Sequence, residues 1–172
     1  MEILAIFNPI ETAMEFTIRK ATKADAQAIW NLIHELAVFE KEPKAVAITP
    51  EDLAAHGFGS SPLFQCFVAE CAAAVVGMAL FYPRYSTWKG PTFHLEDLIV
   101  HEPYQGKGIG FALYREFIAY AYQQGVQRIE WAALDWNTKA LDFYEKSGAQ
   151  CHTDWNLLQM DTAAMKQFLS TT

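Results

Sequence analysis

Gln105-Gly106-Lys107-Gly108-Ile109-Gly110 is the stretch from which the fold can be read. A short apolar run, Leu98-Ile99-Val100, precedes it, and a helical pattern, Phe111-Ala112-Leu113-Tyr114-Arg115-Glu116-Phe117, follows directly. Glycines at alternate positions let the backbone turn tightly and keep side chains out of a ligand's way. A helix starting there aims its unpaired N–H groups and positive dipole end at one spot. That arrangement suits a pyrophosphate.

Two better-known phosphate loops do not fit. Lys107 is followed by Gly108 rather than Ser or Thr, which excludes GxxxxGK[ST], and the third glycine comes one residue early for GxGxxG. A chain of 172 residues is the size of one domain and buries enough surface to need no staple. At 52% hydrophobic and 14% aromatic it is not a disordered chain. That surplus fits a subunit interface, a deep cleft or simply a large core. The net charge of −7, with no basic cluster, argues against a nucleic-acid partner. It favours a cationic small molecule or serves only solubility.

Cys66, Cys71 and Cys151 are odd in number and lack CxxC spacing, so they read as buried thiols of a reducing cytoplasm. His34, His56, His94, His101 and His152 show no metal-ligand spacing, and no metal is expected. No apolar run is long enough to span a membrane. Residues 1–13 carry an apolar patch, Ile3 to Phe7, without a basic flank; they read as an extension with no assigned chemistry, ahead of a domain over 14–172.

Periodicity orders the rest. Phe16 to Arg19 alternates as an opening strand, and Thr22 with Asp25 resembles a capping box before a helix marked by Ile29, Leu32, Ile33 and Leu36. Thr49-Pro50-Glu51-Asp52 starts a second helix. Leu63 to Glu70 and Ala74 to Tyr82 read as a hairpin, and Thr92 to Val100 as a fourth strand. A helix to about Gln124, a strand over Gln127 to Leu134 and a helix over Thr138 to Ser147 follow. A last strand near Trp155 to Met160 and a helix near Ala163 to Leu169 end the chain. The order predicts a mixed α/β sheet in one domain.

The Gly run also matches Q/R-x-x-G-x-G/A, and from about Phe16 to Met160 the chain resembles the GNAT superfamily of N-acetyltransferases. Leu95-Glu96-Asp97-Leu98-Ile99-Val100, Asp135-Trp136-Asn137, Phe143 to Ala149 and Glu35 to Glu40 are similar to its diamine (spermidine/spermine-type) group. Tyr85-Ser86-Thr87-Trp88-Lys89-Gly90 with Leu134 to Asn137 resembles the thialysine Nε-acetyltransferase branch. The resemblance implies a GNAT acyl-CoA N-acyltransferase fold, a splayed central sheet flanked by helices, with acetyl-CoA as co-substrate. It also implies a small-molecule amine as acceptor and a homodimer with active sites near the interface.

By the same resemblance Glu96 receives the proton that a substrate ammonium must lose before attack, and Tyr144 protonates the leaving thiolate and touches the cofactor. Strand alternation keeps Glu96 and Asp97 from sharing a face, and the resemblance assigns Glu96 the substrate side and Asp97 a structural role. Backbone N–H groups of Leu98, Ile99 and Val100 would meet the thioester carbonyl. Amides of Gln105, Gly106, Lys107, Gly108, Ile109, Gly110 and Phe111 would hold the pyrophosphate, with Lys107 either adding charge or standing exposed. Asn137, Thr138 and Lys139 would contact the rest of coenzyme A. Phe39 and Glu40 fall where the amine is received. Trp88 is either a cation–π wall or a tryptophan packed under a loop. Ser86 and Thr87 stand where the polyamine branch carries Asp-Pro, which suits a lysine-like amino acid better than a polyamine. His94 shares a face with Glu96, lining the cleft or serving structure. A non-catalytic acyl-CoA sensor and a peptide N-acetyltransferase are the competing functions.

Overall fold

The computed structural model describes residues 14–171, so the extension over 1–13 lies outside the described residues. The chain divides into two compact units, one running to Trp131 and the other from Ala132 onward. The first holds the entire sheet, in the order β1-β2-β3-β4-β5: β1 (Thr17–Lys20), β2 (Gln65–Cys71), β3 (Ala74–Ser86), β4 (Gly90–Val100) and β5 (Ile129–Glu130). All neighbours are antiparallel except β4 and β5.

Helices α1 (Ala26–Phe39) and α2 (Pro50–Phe58) cover one face, where Ile29, Leu32 and Leu53 pack with Cys66, Val68, Met78, Leu80 and Ile99. Helix α3 (Ile109–Gln123) covers the other through Phe117 and Tyr120, whose rings meet Phe81 at 4.9 and 5.5 Å. Gly77 allows this closeness, since a Cβ there would lie 2.9 Å from the Ile99 carbonyl oxygen and 3.2 Å from Leu113. The expected box opens the 3-10 turn over Lys23–Asp25 that leads into α1: the Asp25 carboxylate accepts from the Thr22 N–H at 2.7 Å. Arg19 grips the same carboxylate at 2.8 Å and holds it at about 2, well below the usual range.

The second unit carries α4 (Thr138–Lys146) and α5 (Thr162–Ser170), whose first turns are capped by Asn137 and Asp161. Two expected strands differ. The one read over Gln127 to Leu134 is only Ile129–Glu130, because its ladder ends opposite His94, just before β4 is interrupted by a bulge. The one read over Trp155 to Met160 does not form. The adjacent Leu157-Leu158 breaks the alternation, leaving no single apolar face to specify a register. Of the expected buried thiols Cys66 alone is buried; Cys71 is half-buried and Cys151 exposed.

The β2–β3 turn is made by Ala72 and Ala73 at φ of 48° and 64°. Two-residue hairpin turns of this hand favour Asn-Gly, because a Cβ in the left-handed region costs about 1–2 kcal/mol. Replacing the pair by Ala72→Asn and Ala73→Gly is expected to raise stability by about 1 kcal/mol. A higher midpoint with unchanged slope in denaturant unfolding is the check.

Candidate active site

A bulge at Glu96 sets the geometry. Across β3 and β4, Leu80 pairs with Asp97 and Phe81 with Leu95, which leaves Glu96 as the extra residue. Leu80 and Ile99 belong to the core under α1, so Asp97, opposite Leu80, faces the same side. Tyr82, two residues from Leu80, shares that face, and its phenol bonds Glu96. His94, opposite Tyr82, brings Nε2 to 3.6 Å from Glu96 Oε2. Glu96 and Asp97 therefore look the same way, and the expectation that alternation separates them is corrected. A bulge adds a residue to one strand and cancels the period of two.

Glu40, which ends α1, completes an acidic group with these two. Burial pushes the Asp97 carboxyl up to about 7, and the charges of Glu96 and Glu40 add to the effect. Desolvation also raises Glu40. A carboxyl drawn out of water beside other carboxyls holds its proton to higher pH.

Beyond the bulge, the outer edge of β4 has no strand partner among the described residues. The His101 N–H donates to the Val76 carbonyl on the β3 side at 2.8 Å. Alternation then turns the Ile99 N–H toward β3, and the Leu98 and Val100 N–H groups away from it, past the end of β5. Of the expected carbonyl-binding trio, Ile99 is thus removed by strand geometry.

The glycine loop follows at once. Gly106 and Gly108 adopt φ of 75° and 84°, and a Cβ at either would meet nothing within 4 Å, so bare backbone faces open space. Gly108 is the N-cap of α3, and no side chain caps that end. The Ala112 N–H returns to Gly108, while those of Ile109, Gly110 and Phe111 belong to the uncapped first turn. The Gln105 amide donates to the Val100 carbonyl at 2.9 Å and closes the loop onto the strand. Lys107 turns back, donating to the Pro103 carbonyl at 2.9 Å and lying over the Tyr104 ring. Glu35 on α1 braces the approach, accepting from the Glu102 N–H at 2.9 Å and meeting His101 Nδ1 at 2.6 Å. A cradle of open glycine backbone and an uncapped helix start fits the diphosphate of coenzyme A.

The remaining candidates are spread out. Phe39 ends α1 beside Glu40. Ser86, Thr87 and Trp88 form the tip of the β3–β4 hairpin, where the Ser86 Oγ accepts from the Trp88 and Lys89 N–H groups at 3.3 and 3.2 Å. Trp88 is 82% exposed, so it packs under no loop. Gly90 and Glu96 are separated by about 20 Å of strand, which keeps the tip away from the carboxylates of its own chain. In the second unit, Asn137 caps α4 by accepting from the Ala140 N–H at 3.2 Å. Thr138 and Lys139 follow in its first turn, and Tyr144 lies two turns along beside Phe143.

Sequence reasoning missed Asp97 as a site neighbour, because no sequence signal marks the bulge. It also missed Arg84, Arg128 and Glu130, since the length of β5 had to be known before their register was.

Asp97 gives a stability test with a definite sign. Its native carboxyl titrates above the unfolded value of about 3.9, so the native state binds more protons between those limits and loses stability as pH rises through them. Asp97→Asn lacks that titration. Its stability relative to the parent should rise from pH 4 to about 7 and level off above, which denaturant melts across pH will show.

Residues 26–149 match the acetyltransferase (GNAT) family model. Thialysine N-epsilon-acetyltransferase of Bos taurus is 39% identical over 161 residues, covering 87% of this chain and 95% of its own. The Caenorhabditis elegans protein of the same name is 36% identical over 89% of this chain and 96% of its own. Among solved structures, an integron cassette protein from the V. cholerae mobile metagenome superposes with a TM-score of 0.74 at 22% identity, covering 91% of this chain and 98% of that one. The family's acyl donor is acetyl-CoA. Joined to the loop, the early end of β5 and the carboxylates described above, these likenesses place the chain in the acetyltransferase (GNAT) family, as an N-acetyltransferase.

Proposed function

We propose that this chain acetylates the terminal amine of a small cationic substrate, a lysine- or thialysine-like amino acid or a short diamine or polyamine, by direct attack in a ternary complex. The observation that carries the reading is the bulge that turns Glu96 to the side of Asp97, where the charge of Glu40 also acts. Three carboxyls there attract an ammonium, and an ammonium must be deprotonated before it acts as a nucleophile. Glu96, half-exposed and bonded by Tyr82, is the proton acceptor.

Acetyl-CoA supplies the activated acetyl thioester when bound. The amides from Gly106 to Phe111 hold its diphosphate, and the Leu98 and Val100 N–H groups meet the charge developing on the carbonyl oxygen. Asn137, Thr138 and Lys139 contact its remaining length, and the Tyr144 phenol gives a proton to the departing sulfur. Unpaired cysteines and the acidic balance suit the cytoplasm.

The test is release of free coenzyme A thiol with a panel of lysine, thialysine, spermidine and putrescine. No thiol with any amine would sink the reading. Tyr144→Phe should lower kcat by about 100-fold. Glu96→Gln should lose most activity at neutral pH and less where the amine is already unprotonated; a uniform loss would make Glu96 a binding group instead.

The hairpin tip favours a homodimer. Trp88 lies too far along its strand to reach the carboxylates of its own chain, yet an exposed indole is a good wall for an ammonium. A second copy related by a two-fold axis brings it there. Trp88→Ala and Glu96→Gln subunits, each weak alone, should recover about a quarter of parental activity when co-refolded one to one. No recovery would overturn a site shared across the two-fold axis.

A further inference from the structure

The face that carries the carboxylates continues down the sheet into a group of opposite charge. Tyr82 and His94 lie opposite each other, with rings 5.2 Å apart and 26° from parallel. Beyond them Glu130 on β5 sits in register with His94. Arg84, two residues past Tyr82, pairs with Glu130, and Arg128 reaches the same carboxylate with Nη2 to Oε2 at 2.9 Å. Two guanidiniums meet one carboxylate, so this end keeps a net positive charge. Arg84 is 55% exposed and Arg128 39%, and a guanidinium carries five N–H donors, which leaves donors for a further anion beside Glu130.

Resting on the acetyltransferase reading above, we propose that Arg84 and Arg128 form a carboxylate-binding subsite that selects an ω-amino acid over the corresponding plain diamine. The spacing agrees. Glu96 and His94 are two residues apart, about 7 Å along the strand, and the arginines converge at the level of His94. An extended lysine spans roughly 7 Å from its terminal nitrogen to its carboxylate. Its ammonium lies at Glu96, its methylenes over the Tyr82 and His94 rings, and its carboxylate against the free N–H groups of the arginines. A diamine of equal length turns a second ammonium toward two guanidiniums and is repelled.

The experiment compares kcat/KM for L-lysine and for cadaverine, which differ by the α-carboxylate alone, using the intact protein and acetyl-CoA. The parent enzyme should prefer lysine by at least 10-fold. Arg84→Gln combined with Arg128→Gln should cut that ratio to within about threefold. Glu130→Gln, which releases both guanidiniums from their internal partner, should raise it. Equal or better use of cadaverine by the parent overturns the proposal, as does an unchanged ratio in the double variant or a lowered one in Glu130→Gln. Failure to acetylate either amine is a different result: it removes the acetyltransferase reading itself.

Discussion

One inserted residue governs the chemistry of this protein. Without the bulge at Glu96, β4 would send Glu96 and Asp97 to opposite faces, and one of them would fall among the rings packed under α3. With it, His94, Glu96, Asp97 and Ile99 share the α1 face, while Leu95 stays in the core. The same irregularity marks where β5 stops pairing, and that early end leaves the Leu98 and Val100 amides clear of a ladder. Acidic side chains and outward amides are thus two results of one backbone event, separated by two residues of strand.

The arrangement costs stability, which explains its neighbours. A half-buried Asp97 beside two other carboxyls would be hard to keep ionised, and it responds by holding its proton to about pH 7. Elsewhere in the same unit a buried carboxylate is handled in the opposite way. Asp25 has Arg19 at 2.8 Å and an N–H from Thr22, and is ionised down to about 2. Asp25 is supplied with a cation and donors, and Asp97 is not. In the proposed reading, the substrate ammonium is the counter-ion that Asp97 lacks.

How legible this was depended on the range of the interactions. Helix starts were plain because Thr22 with Asp25 and Thr49 with Asp52 act over three residues, and both boxes form. The glycine loop was plain because φ above zero at Gly106 and Gly108 is a local demand. Strand ends and faces were not, because they depend on partners distant in sequence. The apolar run from Trp131 to Leu134 reads as strand, yet β4 has no regular edge to receive it beyond His94. Lys107 reads either as added charge for the phosphates or as an exposed lysine, and Pro103 and the Tyr104 ring, four and three residues back, hold its ammonium. Arg84 and Glu130 are 46 positions apart in sequence, and only the sheet register makes them a pair.

The charge pattern gives the acetyltransferase reading its direction. An acidic cluster alone would attract any cation, and a net charge of −7 would do so over the whole surface. Here the acids outnumber the bases at the bulge end, while two arginines outnumber Glu130 at the other, so the face changes sign within two residues of strand, across the Tyr82 and His94 rings. Such a field orients a molecule with unlike ends more strongly than one with like ends, because each end is stabilised at one pole and opposed at the other. Orientation matters in the proposed reaction, where the amine held at Glu96 loses its proton and reaches the acetyl carbonyl in the same complex. The fold by itself would bind a coenzyme and leave the acceptor undefined; the polarity of one sheet face is what distinguishes one end of the acceptor from the other.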